Sequence, residues 1–427
     1  MGHGALGVTY DGSPLSYVLG LVFLMYEIVP TSVIVVTAAV AVVIPYFLLV
    51  WFTPPQLHVS AAERKYTTPS DDTTHELPSI SDPASVQLSV VIPAFNEVSR
   101  LPSMMDECLT WLEEQRKAER PLADRMGRGG PLTDPLRTYE VLVVDDGSTD
   151  ETTKVALASA KRYALAPGAE VRVTSFQCNR GKGAAVRHGV MHSRGAYILF
   201  ADADGATRFS DLGVLAHEMV RIVTPAGHGI VVGSRAHLVK TDAVVKRSFL
   251  RNFLMRCFHI FLAVLMRPPN ISAWLQRMSE WITFYLPLKH LLTQPNARVV
   301  RRLPLQPEIK DTQCGFKLFA RNTAQVIFPL AHIDRWIFDV ELLLLAEIAG
   351  RASERSHVMR ADYDRGNDPL LLLPVPIAEV AVTWTEIDGS KISLITDSIR
   401  MARDLLVIRL NYSLGRWKCP PSVYANE

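Results

Sequence analysis

Apolar runs of strand length alternate with amphipathic stretches over the middle of the chain. The runs are Leu88–Pro93, Tyr139–Val144, Val171–Phe176, Tyr197–Ala201 and Ile230–Gly233. The stretches between them that suit helices are Met104–Lys117, Glu151–Tyr163 and Gly183–Ser193. Strands that alternate with helices predict an α/β fold, with a mostly parallel, Rossmann-like sheet covered on both faces. Ligands bind at the carboxyl ends of such strands, so we expect the functional residues at that edge.

A long apolar segment precedes this α/β region. No charged residue occurs from Thr31 to Phe52, and about 20 apolar residues are enough to cross a bilayer. Residues 1–30 contain no Lys or Arg, which argues against a cleaved signal peptide. The first basic residues after the segment are Arg64 and Lys65. We therefore expect one transmembrane signal-anchor at 31–52, a short lumenal N-terminus at 1–30, and a cytoplasmic C-terminal bulk.

Two further regions differ in composition from the α/β pattern. Residues 53–85 are rich in Pro, Ser, Thr and Asp without apolar periodicity, which predicts a linker. Residues 236–310 contain Val244–Met266 and Ile271–Leu292, where bulky apolar and aromatic residues mix with Arg and Lys. That mixture is typical of amphipathic helices at a membrane interface, and ordinary packing helices are the alternative.

Composition narrows the functional classes. The 427 residues suffice for one large or two ordinary domains. The 45 Lys and Arg nearly balance the 43 Asp and Glu, so net charge gives no argument for a nucleic-acid partner. The 5 cysteines are scattered without metal-ligand spacing, which favours a reducing compartment over a disulfide framework.

Two carboxylates, Asp202 and Asp204, directly follow the apolar run Tyr197–Ala201. Alternation along an extended strand end would direct both to the same side, where like charges need a cation or a hydrogen-bond network. Mg²⁺ and Mn²⁺ suit one or two carboxylates together with a substrate diphosphate. The pair therefore predicts a metal site, and an acidic turn after a strand is the alternative for this motif taken alone.

Polar motifs also end the preceding strands. Pro93–Glu97 ends the first, and Asp145 and Asp146 end the second. Adjacent acids at a strand end can accept hydrogen bonds from a base N–H and from ribose hydroxyls, while Ser148 suits a helix cap. Residues 179–187 (Asn-Arg-Gly-Lys-Gly-Ala-Ala-Val-Arg) suit an anion-binding helix start, although they lack the Walker A pattern.

Together and in this order, these motifs resemble the GT-A fold glycosyltransferases of family 2. Further motifs resemble the eukaryotic dolichyl-phosphate β-glucosyltransferase family; they are Gly233–Arg235, Asp311–Lys317, Arg335–Glu341 and Val382–Lys391. The resemblance covers roughly 86–410 and the anchor, apart from an insertion at 118–137 and an extra segment near 268–308. It implies inverting transfer of glucose from UDP-glucose to dolichyl phosphate, with Mg²⁺ or Mn²⁺, at the cytoplasmic side of the endoplasmic reticulum membrane.

The resemblance also implies roles for individual residues. On the nucleotide side, in the donor-binding half at 86–235, they are Pro93, Ala94, Asn96, Glu97, Asp145, Asp146, Ser148 and Lys182. The catalytic group comprises Asp202, Asp204, Arg235, Asp311 and Lys317. Gln313 would lie near the glucose in the acceptor-side half, 311–415. Arg247 and Arg251 are candidates to bind the dolichyl phosphate, and a solvated or lipid-facing basic stripe is the alternative.

Three other functions fit parts of this pattern. A dolichyl-phosphate mannosyltransferase using GDP-mannose shares the fold and the acceptor, but Asp311–Lys317 favours the glucosyl family. A processive polysaccharide synthase resembles a Gln-x-x-Arg-Trp motif, whereas His332–Trp336 lacks the Gln. A catalytically inactive membrane scaffold is disfavoured because the four acidic residues of the two motifs are all present.

Overall fold

The computed structural model describes residues 31–55, 59–123, 130–163, 165, 167–237, 309–361, 375–387 and 394–420. The chain divides into two units, residues 1–55 and 56–427. The predicted interfacial helices, and with them Arg247 and Arg251, lie outside the described residues.

The first unit contains helix α1, Thr31–Phe52, with the bounds predicted for the anchor. The hydroxyls of Thr37 and Thr53 each donate to the carbonyl four residues earlier, at 2.7 Å. Most of its described side chains are exposed, Trp51 among them. The predicted membrane span is not confirmed: in the described part of the chain, no helix combines the length and the apolarity needed to cross a bilayer.

A mixed sheet forms the second unit. Its described strands are β1 Lys65–Thr68, β2 Asp71–Glu76, β3 Val86–Ala94, β4 Tyr139–Asp145, β5 Ala169–Ser175, β6 Gly195–Ala201, β7 Ile230–Ser234, β8 Phe316–Ala320 and β9 Ile377–Ala381. They lie in the order β2-β1-β5-β4-β3-β6-β8-β7-β9. The strands β5, β4, β3 and β6 are parallel neighbours, as predicted.

The sheet is mixed rather than mostly parallel, which corrects the prediction. β8 lies antiparallel between β6 and β7, and the hairpin of β1 and β2 meets β5 antiparallel. Strand direction depends on where a connection re-enters the sheet. The connection from β7 to β8 is long, and the apolar pattern of a strand does not indicate at which edge of the sheet the chain enters it. The direction of β8 could therefore not be predicted from that pattern.

Helices cover both faces of the parallel strands. The described helices of this unit are α2 Leu101–Lys117, α3 Thr152–Lys161, α4 Lys182–Met191, α5 Leu212–Ile222, α6 Arg321–Ile327, α7 Phe338–Ala361 and α8 Leu394–Ser413. On α2, apolar residues at helical spacing, such as Leu101, Met105 and Leu112, are fully buried. On the other face, α4 lies so close that a side chain at Gly189 would strike Val91 at 2.4 Å.

The segment predicted as a linker, 53–85, contributes structure instead. Its β1–β2 hairpin extends the sheet beyond β5, with Thr67 opposite Val173. Because edge strands are protected by polar and charged residues, this hairpin lacks the apolar alternation that marks a half-buried strand. The predicted insertion at 118–137 is a loop in its described parts, and it buries Leu122 and Leu136.

Candidate active site

The two predicted metal ligands lie in a turn just after β6. The N–H of Asp202 donates to the carbonyl of Gly315 at 3.0 Å, and Asp204 Oδ1 accepts from the N–H of Ala206 at 3.0 Å. The turn also pairs with the segment that follows β9: the N–H of Thr385 donates to the carbonyl of Ala206 at 2.8 Å. Segments from three parts of the sequence therefore fix the position of the acidic pair.

Lys182 meets this pair from the first residue of α4. Its Nζ lies 2.6 Å from Asp202 Oδ1, and the Asp202 side chain keeps 32% exposure. The ammonium also lies 5.2 Å from the ring centre of Phe200 and 5.9 Å from that of Trp336. Burial lowers the pKa of Lys182, but the neighbouring carboxylates outweigh burial and raise it above its ordinary value. The lysine is therefore a permanent cation beside Asp202.

The acidic pair fits a hard divalent cation. Burial raises the pKa of Asp204, the charge of Asp202 raises it further, and nearby donors and cations offset this only in part. Additional positive charge would therefore stabilise the ionised pair. Among the residues that the structure describes, no cluster of three or more His, Cys, Asp or Glu could hold a metal. Two carboxylates alone suit Mg²⁺ or Mn²⁺ completed by a diphosphate and water.

Asp145 and Asp146 both make hydrogen bonds within the protein. Asp145 accepts from the N–H and hydroxyl of Ser148 and from the Thr153 hydroxyl at 2.8 Å. Asp146 accepts from the backbone N–H groups of Arg180 and Gly181, at 2.8 and 2.9 Å. Asp145 and Asp146 are 5% and 3% exposed. Two N–H groups of the predicted phosphate loop are therefore bound to Asp146, and the acidic motif fixes two loops at the ends of strands.

The motif that ends β3 supports the same two loops. The N–H of Asn96 donates to the Ser148 hydroxyl at 2.8 Å, and its Oδ1 accepts from the N–H of Thr149 at 2.8 Å. Asn96 has φ 52°, a left-handed conformation that Asn tolerates better than most residues. The carbonyl of Ala94, which follows Pro93 in β3, accepts from the N–H of Asp146 at 2.7 Å.

Glu97 completes this motif through an ion pair. Its carboxylate accepts from Arg100 Nε at 2.7 Å and Nη2 at 2.6 Å. Both side chains are largely buried, and the Arg100 charge interacts with Asp202 and Asp204. Glu97 therefore holds a cation near the acidic pair.

Arg235, just after β7, and Asp311, shortly before β8, form a bidentate pair at the same edge of the sheet as Asp202. Arg235 Nε and Nη2 lie 2.7 and 2.8 Å from the two oxygens of Asp311. The guanidinium lies 5.7 Å from the ring centre of Trp384. Each charge favours the other, so the pKa of Asp311 is lowered and that of Arg235 is raised, despite burial. Arg235 is 34% exposed and can still present a positive charge to the site.

Lys317 lies on β8, is 1% exposed and pairs with buried Asp339 at the start of α7. Its ammonium lies 5.9 Å from the ring centre of Phe200, the same ring that Lys182 contacts. Its role near the glucose stays a prediction. Asp339 was missed by sequence reasoning, although it belongs to the quoted motif Arg335–Glu341. Gln313 is half-buried in the turn before β8.

The buried carboxyl of Asp146 predicts a pH effect on stability. Burial raises its pKa to about 6 from an ordinary value of 3.8. The folded state therefore holds this proton up to a higher pH than the unfolded chain, so this group's contribution to stability falls as pH rises from about 4 to 6. We expect the stability of Asp146→Asn relative to wild type to increase by about 2 kcal/mol between pH 4 and pH 7.

Urea unfolding of both proteins at the two pH values measures this difference. Asn does not titrate, so a constant offset from its altered hydrogen bonds cancels in the comparison. A relative stability that stays flat, or that falls with pH, contradicts the raised pKa.

The α/β fold with its mixed sheet, and the motifs at its carboxyl edge, define a glycosyltransferase with a GT-A-like fold. Residues 89–254 match the family model described as Glycosyl transferase family 2. The chain is 37% identical over 383 residues to "Dolichyl-phosphate beta-glucosyltransferase" of Dictyostelium discoideum, covering 89% of this chain and 92% of that one. The protein of the same name from Homo sapiens is 38% identical over 365 residues, covering 85% and 87%. The chain therefore belongs to the dolichyl-phosphate beta-glucosyltransferase family.

A solved structure gives a more distant match. Glucosyl-3-phosphoglycerate synthase from Mycobacterium tuberculosis, in complex with uridine-diphosphate, aligns with a TM-score of 0.39 and 19% identity. The alignment covers 77% of this chain and 80% of that chain.

Proposed function

We propose that this protein transfers glucose from UDP-glucose to dolichyl phosphate, releasing UDP and forming dolichyl β-D-glucosyl phosphate. The observation that carries the proposal is the contact of Lys182 with Asp202, beside Asp204, at the carboxyl edge of the sheet. This arrangement suits a diphosphate leaving group, and the relatives' name states the acceptor and the sugar.

The acceptor needs little activation by the protein. A phosphate monoester has its second pKa near 6 and is largely a dianion at neutral pH, so it can attack the sugar carbon without a strong base. One in-line displacement on an α-linked donor inverts the configuration and gives the β-linked product. The protein must mainly stabilise the negative charge that develops on UDP as it leaves.

Three groups of this chain would meet that charge. Asp202 and Asp204 would hold Mg²⁺ or Mn²⁺, which stabilises negative charge on a departing diphosphate. Lys182 offers a cation already fixed at 2.6 Å from Asp202, and preorganised charges of this kind favour the transition state. Arg235, oriented by Asp311, offers a second cation at the same edge of the sheet.

We also propose that the enzyme works at the cytoplasmic face of the endoplasmic reticulum membrane. The acceptor carries a very apolar tail that stays in lipid, so the catalytic domain must work at a membrane surface. The uncharged 22-residue helix α1 and the basic residues Arg64 and Lys65 that follow it support this placement. The contribution of Arg247 and Arg251 to acceptor binding remains part of the proposal.

A donor comparison tests the proposed reaction. Purified full-length protein in detergent is given dolichyl phosphate, Mg²⁺ and one of UDP-glucose, UDP-galactose, UDP-N-acetylglucosamine or GDP-mannose. We expect UDP-glucose to be the best donor and GDP-mannose to support little transfer, measured as sugar recovered in the lipid phase. A better rate with GDP-mannose would reject the glucosyl assignment, and no transfer from any donor would favour an inactive scaffold.

A further inference from the structure

Glu63 lies in a short 3₁₀ turn, Ala62–Arg64, just before β1. Its side chain is 1% exposed although it carries a charge. The carboxylate accepts from the backbone N–H of Ser60 at 2.8 Å and from that of Gln177 at 3.1 Å. Both of its oxygens also accept from Arg180 Nη2, at 2.9 and 2.8 Å. A buried carboxylate that accepts hydrogen bonds from these donors is fixed in place by the fold, unlike an exposed ion pair at the surface.

Arg180 connects Glu63 to the acidic motif after β4. Its guanidinium is bound by Glu63 and lies 4.8 Å from the ring centre of Phe176. Its own backbone N–H donates to Asp146 Oδ1 at 2.8 Å. Arg180 therefore contacts both carboxylates, Glu63 through its side chain and Asp146, just after β4, through its backbone N–H.

The loop that contains Arg180 is fixed at its other end by close packing. Gly181 has φ 110°, and a side chain there would come within 2.5 Å of the carbonyl of Asp334. Its N–H donates to Asp146 Oδ2 at 2.9 Å. The loop is thus held by backbone packing after Arg180, and Glu63 holds Arg180 itself. Without Glu63, the buried guanidinium would lose its carboxylate partner and the loop would shift.

We propose that Glu63 is a positioning residue for the nucleotide of the donor, acting through Arg180 on the loop that orients Asp146. The inference rests on the proposed function, because it assumes that the Asp145–Asp146 edge receives the uridine. Glu63 lies in a turn outside the recognised motifs, and under this proposal that turn contributes to donor affinity. Glu63 does not touch the reacting atoms, so its effect belongs in donor binding and not in the chemical step.

Glu63→Gln tests the proposal while keeping the shape of the side chain. A charge-assisted hydrogen bond is worth roughly a factor of ten or more in an equilibrium constant, and the donor affinity can lose up to that factor when the loop is no longer held. We expect the Kd for UDP, measured by calorimetry with Mg²⁺, and the KM for UDP-glucose to rise about tenfold. The kcat and the KM for dolichyl phosphate should stay near wild type. Glu76→Gln is the matched control, because Glu76 lies in the same segment, is 72% exposed and forms an exposed ion pair with Lys65 at 3.8 Å.

A double variant separates positioning from mere stabilisation. Arg180→Ala should weaken UDP binding by a similar factor, and Glu63→Gln added to it should have no further effect on the Kd. A lower Tm with an unchanged Kd for UDP would overturn the proposal and leave Glu63 a purely structural residue. If Glu63→Gln does not fold, Arg180→Met, which removes the charge and keeps a long side chain, tests the same contact, and wild-type affinity in that variant would overturn the proposal equally.

The outcomes also separate this inference from the proposed function. If wild type uses UDP-glucose but Glu63→Gln has wild-type values for UDP and its sugar, only the positioning role fails. If wild type prefers GDP-mannose, the proposed function fails. The role of Glu63 would then be overturned too unless the KM for the true donor rises in the variant.

Discussion

Asp204→Asn should lower kcat by two to three orders of magnitude, the size of effect seen when a group that stabilises transition-state charge is removed. Asn has nearly the same shape as Asp, so the hydrogen bond to the Ala206 N–H can persist while the charge is lost. Asp202→Asn should act similarly, because it removes both a candidate metal ligand and the partner of Lys182. Release of UDP from UDP-glucose and dolichyl phosphate measures the rate.

Stability should change in the opposite direction for Asp204. Its pKa is raised by burial and by Asp202, so its ionised form costs folding free energy at neutral pH. Asp204→Asn should therefore unfold at the wild-type Tm or above it, which excludes misfolding as the cause of inactivity. Asp106→Asn is the control, since Asp106 is exposed on α2 and pairs with Arg162. A rate for Asp204→Asn within threefold of wild type would remove Asp204 from the mechanism.

The central strands could be predicted from the sequence because they are buried on both faces. β3 and β4 are mostly apolar, and their observed bounds differ from the predicted ones by a few residues. Lys182 and Asp202 meet because both motifs follow parallel strands whose carboxyl ends share one edge of the sheet; the sequence predicted that edge but not this contact.

Contacts that depend on distant pairing could not be predicted in this way. The pair of Lys317 with Asp339 is one such contact, because the family resemblance implied only a position near the sugar for Lys317. In the structure β8 is a central strand, so its residues are buried whatever their polarity, and Lys317 needs the charge of Asp339. Glu63 was missed for a related reason: its partner Arg180 lies more than a hundred residues away, and a polar segment before the domain resembles a linker.

Gly315→Ala should be nearly as damaging as removing the Asp202 carboxylate, although residue 315 bears no functional group. A Cβ at this position would lie 1.9 Å from Asp202 Oδ2, 2.2 Å from its Cγ and 2.5 Å from its Oδ1. No atoms tolerate such distances, so the carboxylate must rotate away and lose its 2.6 Å contact with Lys182. We expect a loss of about a hundredfold in kcat, the lower end of the range for removing one such group.

Gly213→Ala is the matched control for this prediction. A Cβ at Gly213, in α5, would have Leu122 O at 3.7 Å as its nearest neighbour, an ordinary contact. Ala is also a better helix former than Gly by about 1 kcal/mol, so this variant should keep wild-type activity with an equal or higher Tm. The same chemical change thus separates the local clash from any general effect of replacing glycine.

The combination with Asp202→Ala identifies the clash as the cause. If Gly315 matters because it makes room for the Asp202 carboxylate, Gly315→Ala should cost nothing further once that carboxylate is absent. The double variant should therefore have the kcat of Asp202→Ala alone, with a Tm no lower. An additional loss in the double variant would mean that Gly315 acts through the backbone at the start of β8. Wild-type activity in Gly315→Ala would mean that Asp202 need not hold this position for turnover.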